Sequence, residues 1–204
     1  MPPEPNLGGS MDSKARLERL GGLVRRWNSR INLVARSTVA DLEARHIGDS
    51  AALWPLVPVD ATCLVDLGSG GGFPGLVLAI LAMGERPALR IHLVEADSRK
   101  VAFLQTAERE LGLKNLTIHN LRIEDLGPLG ADVVTARALA PLERLLDLAA
   151  PQLAAGGRCL FPKGRTWQDE VVAARSKWHF HPEVHPAASG GDGVILELTE
   201  LARV

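Results

Sequence analysis

The segment at residues 66–75, which reads DLGSGGGFPG, constrains the fold more than any other part of the chain. It follows an apolar run at residues 62–65 that has the pattern of a buried strand, and the apolar run after it predicts a helix over residues 74–83. Glycine lets the backbone adopt positive φ and approach a ligand closely, and the following helix N-terminus offers N–H groups that have no partner within the helix. The segment therefore predicts a ligand-binding loop.

Strand and helix patterns alternate from residue 62 onward. Strands are predicted at 62–66, 89–95, 116–121, 132–136 and 157–162, and helices at 74–83, 98–111, 141–153 and 166–177. Two last strands, near 179–185 and 193–201, flank the glycine-rich residues 189–193 and predict an antiparallel hairpin at the end of the sheet. This alternation predicts an α/β fold, with a mostly parallel sheet covered by helices on both faces.

The residues before the sheet predict a helical extension. An apolar stripe at helical spacing runs through residues 13–36, and a second helix is predicted over 38–54, ended by Pro55. Residues 1–12 are rich in proline and glycine, which is typical of a disordered leader. We therefore expect a leader at 1–12, a helical extension at 13–58 and an α/β domain at 59–204, the last two forming one compact unit.

Charged residues follow all five parallel strands, at the edge of the sheet where open α/β folds bind their ligands. They are Asp66, Glu95, Asp97, Arg122, Glu124, Asp125, Arg137 and Lys163. A protein with a purely structural role does not need a charged residue at the end of every strand. The pattern favours a binding or catalytic site at this edge.

The glycines allow two cofactor interpretations. Gly70, Gly72 and Gly75 match the spacing of a dinucleotide fingerprint, with Glu95 at the distance expected for a ribose contact. That register begins several residues after the strand and encloses a proline, so it is the weaker of the two. An NAD-binding oxidoreductase stays an alternative, as does a catalytically dead module that only binds a cofactor.

The other register, Asp66-x-Gly68-x-Gly70, begins at the strand end and resembles the first motif of the class I S-adenosylmethionine-dependent methyltransferases. This resemblance implies a Rossmann-like seven-stranded sheet, mostly parallel, with a C-terminal antiparallel strand. It also implies that Glu95 holds the ribose hydroxyls of S-adenosylmethionine, because two adjacent hydroxyl donors match the two oxygens of a carboxylate. Ile123 and Glu124 then lie beside the adenine.

Further motifs resemble the bacterial 16S ribosomal RNA guanine-N7 methyltransferases, the glucose-inhibited division protein B family. They are HIGDS at 46–50, the glycine-rich segment, RKVAFL at 99–104, RIE at 122–124, ARA at 136–138 and KG at 163–164. The resemblance implies methyl transfer from S-adenosylmethionine to N7 of one guanine in the decoding-region loop of the small-subunit RNA, leaving S-adenosylhomocysteine. Methylation of another RNA site is the alternative.

The resemblance also implies roles for particular residues. The cofactor contacts are Asp66, Gly68, Gly70, Phe73, Glu95, Ala96, Asp97, Ile123, Glu124 and Arg137. Arg137, Lys163 and His46 are the catalytic residues, and they position the reactants, since guanine N7 carries a free lone pair and needs no general base. The family usually carries a basic pair near its C-terminus, where this chain reads GDGV at 191–194.

The basic residues are concentrated near the N-terminus. Residues 14–36 contain seven lysines and arginines and one acid, whereas the whole chain has a formal net charge of −1. We therefore predict that RNA phosphates are contacted by Arg26, Arg30 and Arg36. Lys163, at the end of a predicted strand, is predicted to contact RNA as well. We expect a cytoplasmic monomer that binds 16S RNA, within the small subunit or its precursor, and no membrane.

Three histidines close together in the sequence also raise the question of a metal site. His179, His181 and His185 fall in a predicted strand with prolines as neighbours. This setting is more typical of a chance cluster than of a ligand set, so we predict no metal.

Overall fold

The computed structural model describes residues 11–204 and confirms the predicted α/β class. Its seven strands are β1 (Cys63–Leu67), β2 (Arg90–Val94), β3 (Leu116–His119), β4 (Ala131–Thr135), β5 (Leu153–Lys163), β6 (Trp178–Pro186) and β7 (Val194–Arg203). They form one sheet in the order β3-β2-β1-β4-β5-β7-β6. The pairs among β1 to β5 are parallel, while β7 runs antiparallel to both β5 and β6.

The described part of the chain forms six α-helices. They are α1 (Ser13–Asn28), α2 (Asp49–Ala51), α3 (Gly75–Glu85), α4 (Ser98–Leu111), α5 (Leu142–Ala149) and α6 (Trp167–Ala174). The Asp12 side chain caps α1, and that of Asp97 caps α4 by accepting from the Arg99 N–H at 2.9 Å. Helix α4 ends at Gly112, which is left-handed with φ of +63°.

The N-terminal extension differs from its prediction. The helix expected over 13–36 ends at Asn28, because the Asn28 side chain accepts from the backbone N–H groups of Leu33 at 2.8 Å and Val34 at 3.0 Å and so reverses the chain. The single helix expected over 38–54 is replaced by short pieces. These are a 3₁₀ turn at Arg36–Thr38, a π-helical turn at Glu43–Gly48, then α2, and a 3₁₀ turn at Trp54–Leu56.

The remaining boundaries differ by smaller amounts. The helix predicted over 141–153 ends at Ala149 and passes into a 3₁₀ turn that contains Pro151, because proline has no N–H with which to continue the helical hydrogen bonds. Strand β5 consequently begins at Leu153 rather than at 157. The predicted leader falls mainly at residues 1–10, which lie outside the described part of the chain.

Two apolar layers cover the sheet, one on each face. One layer joins the extension to α3 and α4 and includes Leu20, Leu76 and Phe103, while the other lies under α5 and α6 and includes Leu146 and Phe161. Helix α1 thus shares the core of the sheet, and the carboxyl ends of β1 to β5 stay uncovered at one edge. None of the helices formed by residues 11–204 has an apolar stretch long enough to cross a bilayer.

Candidate active site

The glycine loop after β1 leaves room for a ligand through the conformation of its backbone. Gly68 and Gly70 have φ values of +66° and +53°, a region that residues with a Cβ rarely occupy. A Cβ on Gly68 would lie 2.7 Å from Cδ1 of Leu139, which comes from the segment after β4. The loop needs glycine at Gly68 for both conformation and space.

Glu95 at the end of β2 joins this loop to the next strand. Its side chain is buried, with Oε2 accepting from the Gly70 N–H at 2.8 Å and Oε1 from the Asp97 N–H at 2.8 Å. These two bonds fix the carboxylate and leave lone pairs on both oxygens for a ligand. Glu95 is thus a rigidly held acceptor at the centre of the sheet edge.

A cavity of about 440 Å³ opens beside Glu95. Six of the predicted residues line it, namely Gly68, Glu95, Ala96, Ile123, Glu124 and Arg137. Residues that the sequence analysis missed complete the lining, among them Lys100, Leu121, Leu139, Arg144 and Leu148. Arg144 donates to Glu124 at 2.6 Å, so that carboxylate is paired at the surface. Lys100 falls within the RKVAFL motif, whereas none of the quoted motifs contains the others, which distant segments bring to the cavity.

The other predicted cofactor residues do not line this cavity, and three of them make hydrogen bonds near it. Asp97 serves as the cap of α4, and Gly70 anchors Glu95 through its backbone. Asp66 is fully buried, with Oδ2 accepting from the Gly75 N–H at 3.2 Å and Oδ1 without a partner. Burial raises the pKa of Asp66 to about 7. Phe73 is also buried.

Phe73 brings His46 and Arg137 together. Its ring centroid lies 5.3 Å from that of His46 and 5.2 Å from Cζ of Arg137. His46 Nε2 lies 2.8 Å from Oγ1 of Thr38, whose hydroxyl donates to a backbone carbonyl, so Nε2 carries the proton and Nδ1 a lone pair. Burial, reinforced by the charge of Arg137, lowers the pKa of His46 to about 4. His46 is therefore neutral at pH 7.

A second cavity, of about 760 Å³, lies next to the first. The two share the segment Arg137–Ala140 as a common wall. Arg45, Lys163, Arg165 and the β6–β7 hairpin line the rest. The hairpin is tied to the HIGDS motif, since Asp49 accepts from the Ser189 N–H at 2.7 Å and from its hydroxyl at 2.9 Å.

Lys163 lies at this second cavity with its charge already paired. Its Nζ donates to Glu170 Oε2 at 2.6 Å and to the Ala140 carbonyl at 3.2 Å, and the side chain is only 8% exposed. An ammonium group in this setting is not available to a phosphate in solution. The geometry thus argues against the RNA-binding role predicted for Lys163 and favours a positioning role.

The predicted RNA-binding arginines differ in their surroundings. Arg26 donates to Glu110 on α4 at 3.2 Å. Arg30 and Arg36 are exposed, and both lie beyond the end of α1, so Arg30 does not share a helix face with Arg26 as the longer predicted helix implied. The chain between them contacts the glycine loop, because a Cβ on Gly71 would lie 2.8 Å from the Leu33 carbonyl oxygen.

The three histidines of β6 do not come together as one group of possible ligands. His179 and His181 are exposed, whereas His185 lies with Glu183 and Glu197, with possible ligand atoms within 4.8 Å of one another. Glu197 already accepts from Arg158 at 2.6 Å and is 2.9 Å from His185 Nε2. A carboxylate neutralised in this way is a poor ligand for a cation, so we assign no metal to this cluster.

Sequence comparison finds similar proteins along the whole chain. The family model described as rRNA small subunit methyltransferase G matches residues 13–193. A Cereibacter sphaeroides protein named ribosomal RNA small subunit methyltransferase G is 50% identical over 198 residues, which cover 97% of this chain and 95% of the relative. A Paramagnetospirillum magneticum protein of the same name is 50% identical over 206 residues, covering 100% and 98%.

Solved structures resemble this chain in fold at low sequence identity. An Aquifex aeolicus structure described as a SAM dependent methyltransferase aligns with a TM-score of 0.60 at 11% identity, covering 89% of this chain and 97% of that one. The M. jannaschii TYW2 structure in complex with AdoMet aligns with a TM-score of 0.58 at 13% identity, covering 86% and 80%. These similarities show that the sheet has the class I methyltransferase fold.

Proposed function

Since the chain belongs to the rRNA small subunit methyltransferase G family, we propose that it methylates N7 of one guanine in the decoding-region loop of 16S ribosomal RNA. S-adenosylmethionine is the methyl donor and S-adenosylhomocysteine the product. One observation carries the proposal. A cavity built around Glu95 adjoins a larger cavity, and the two share the wall Arg137–Ala140. This arrangement suits a donor and an acceptor that meet at the wall.

The smaller cavity has the groups that S-adenosylmethionine requires. The fixed carboxylate of Glu95 can accept from both ribose hydroxyls, and Ile123 and Leu121 offer apolar surface to the adenine. Gly68 lacks the Cβ that would obstruct this cradle for the cofactor. When bound, S-adenosylmethionine supplies a methyl group on a positively charged sulfur.

The larger cavity suits a nucleotide of the RNA. Its volume of about 760 Å³ falls within the usual range for ligand sites. Arg45 and Arg137 line it, and guanidinium groups recognise phosphate through paired N–H donors, whereas Arg165 in the same lining pairs with Asp192 at 2.9 Å. The uncovered sheet edge leaves this cavity open to a large substrate, which fits an RNA loop better than a small metabolite.

Methyl transfer to guanine N7 does not require the protein to act as a general base. The nitrogen attacks through its in-plane lone pair, so no proton has to leave first, and a neutral His46 is consistent with this. Arg137 can orient both reactants from the shared wall, where Phe73 supports its guanidinium. Holding two reactants in line can supply about 7–11 kcal/mol of the barrier reduction. His46, Arg137 and Lys163 therefore act by positioning.

The exposed arginines after α1 complete the proposed RNA surface. Arg30 and Arg36 flank the segment that packs on the glycine loop, so RNA phosphates bound there would lie near the cofactor cavity. Arg26, which is paired with Glu110, contributes less. A substrate of this kind places the enzyme in the cytoplasm, and we expect it to act as a monomer on the small subunit or its precursor.

The test is methyl transfer to RNA that lacks the modification. Small subunits and free 16S RNA from a strain without this methyltransferase are incubated with labelled S-adenosylmethionine, and the product is mapped by cleavage at N7-methylguanine. We expect label at one guanine of the decoding-region loop. Label at another nucleotide would contradict the assigned site, and absence of label from both substrates would contradict the proposed activity.

A further inference from the structure

The wall between the two cavities has an unusual backbone and exposes an apolar side chain. Ala138 has φ of +53°, which is uncommon for a residue with a Cβ, and Leu139 is 36% exposed while it contacts Gly68. A segment of this kind keeps its shape only if the surrounding structure holds both ends. At its start, Arg137 lies two residues after Thr135, the last residue of β4.

The other end is held by a buried ion pair. Glu170 Oε2 on α6 accepts from the Leu142 N–H at 2.8 Å and from Lys163 Nζ at 2.6 Å. Lys163 in turn donates to the Ala140 carbonyl at 3.2 Å. The side chains of Lys163 and Glu170 are 8% and 23% exposed, so solvent weakens this pair less than an ordinary surface pair. Both partners thus bind backbone at the end of the wall.

We propose that Glu170 is a positioning residue for methyl transfer, and that it acts with Lys163 to hold the wall Arg137–Ala140. The inference rests on the proposed function, because the wall matters to catalysis only if donor and acceptor meet there. Glu170 also lines the larger cavity, but in this role it acts through the wall and not by touching the reacting atoms. It fixes where Arg137 and Leu139 stand, and a misplacement of about 1 Å can cost about a hundredfold in rate.

The main variant is Glu170→Gln, which keeps the size of the side chain and removes its charge. We expect the single-turnover rate of methyl transfer to RNA to fall at least tenfold. The affinity for S-adenosylmethionine, measured by calorimetry, should fall by a smaller factor than the rate, because the wall forms only part of that cavity and Gly70 and Asp97 hold Glu95 independently of α6. A merely structural role would lower the melting temperature without changing the rate per folded molecule.

The matched control is Glu143→Gln on α5. Glu143 pairs with Lys177 just after α6 at 2.6 Å, so this variant also breaks an ion pair between the α5 and α6 regions. Neither Glu143 nor Lys177 lines either cavity, and the rate of this variant should equal that of the unmodified protein. The comparison separates loss of an ion pair from loss of the wall.

A double-mutant cycle tests whether Glu170 and Lys163 act as one unit. If they do, Lys163→Gln combined with Glu170→Gln should lower the rate no more than the more severe single variant. The inference would be overturned if the rate of the double variant fell by the product of the two single-variant factors. An unchanged rate in Glu170→Gln would also overturn it.

Hydrogen exchange gives a readout that does not depend on activity. The amide of Leu142 should lose protection in Glu170→Leu, which removes its acceptor, and keep it in Glu143→Leu, and equal protection in both variants would overturn the inference. If the unmodified protein transfers no methyl group to RNA, the proposed function fails, while exchange still decides whether Glu170 holds the wall.

Discussion

At the scale of single residues, the site depends on groups whose properties follow from burial and backbone shape. Glu95 and Glu124 could be predicted because they follow strands, and strand ends of parallel sheets meet at one edge. Leu139 and Glu170 could not, because their importance comes from contacts with Gly68 and Lys163, far away in the sequence. Local pattern thus located the edge of the sheet but not the side chains that shape its cavities.

Gly68→Ala should impair both folding and cofactor binding. The left-handed backbone costs a residue with a Cβ about 1 kcal/mol or more, and the new methyl group would lie 2.7 Å from Leu139 Cδ1. We expect a lower melting temperature by a few degrees and at least tenfold weaker binding of S-adenosylmethionine by calorimetry. Gly127→Ala is the control, because a Cβ there meets nothing within 4 Å. Wild-type affinity in Gly68→Ala would contradict the assigned cradle.

Asp66→Asn should change how stability depends on pH. Burial raises the pKa of Asp66 to about 7 from an ordinary value of 3.8. Between these values the folded protein keeps a proton that the unfolded chain releases, so rising pH lowers stability by up to about 1.4 kcal/mol per pH unit. Because an asparagine cannot ionise, Asp66→Asn should not show this fall in stability as the pH rises.

Urea unfolding between pH 4 and pH 7 checks the prediction for Asp66. The free energy of unfolding of Asp66→Asn, relative to the unmodified protein, should rise across this range. The exposed Asp60 provides a control variant, Asp60→Asn, for the general effect of losing one carboxylate. Parallel pH profiles for the unmodified protein and Asp66→Asn would show that Asp66 is charged throughout the range.

At the scale of elements, helices could be predicted where their capping signals are local. Asp97 and Gly112 bracket α4, and the predicted bounds 98–111 agree with it. Helix α1 ends early because of Asn28, whose side chain bonds to amides five and six residues further on. Apolar periodicity continues past that point, so the pattern alone gave a helix that was too long.

The two adjacent glycines of α1 should respond differently to alanine. Gly22 is exposed in the helix and a Cβ there meets nothing within 4 Å, so Gly22→Ala should stabilise the protein by about 0.5–1 kcal/mol. A Cβ on Gly21 would lie 3.2 Å from Glu43 and 3.3 Å from Arg25, whose ion pair would have to shift. Gly21→Ala should therefore raise the free energy of unfolding, measured with urea, by less than Gly22→Ala does. Equal increases in the two variants would contradict these contacts.

At the scale of the whole molecule, the proposed RNA surface depends on a few exposed arginines. Arg30→Ala and Arg36→Ala should each weaken 16S RNA binding and reduce the dependence of affinity on salt, by about 0.7–0.9 in logarithmic slope for each phosphate that the protein no longer neutralises. Arg26→Ala should have a smaller effect because of its pairing with Glu110.

Titration of RNA binding with salt, followed by fluorescence anisotropy, measures these slopes. Arg90→Ala is the control, since Arg90 is exposed at the start of β2 and so lies at the opposite edge of the sheet. Slopes that stay the same in Arg30→Ala and Arg36→Ala would place the RNA surface elsewhere.

The wall Arg137–Ala140 belongs to both cavities, and this has a thermodynamic consequence. Any rearrangement of the wall that one ligand favours changes the affinity for the other ligand, so the two binding equilibria are linked. Linkage is reciprocal, and whatever factor RNA applies to the affinity for S-adenosylmethionine must be returned to RNA by S-adenosylmethionine. A single segment of four residues can in this way make the order in which substrates arrive matter to the affinity of each.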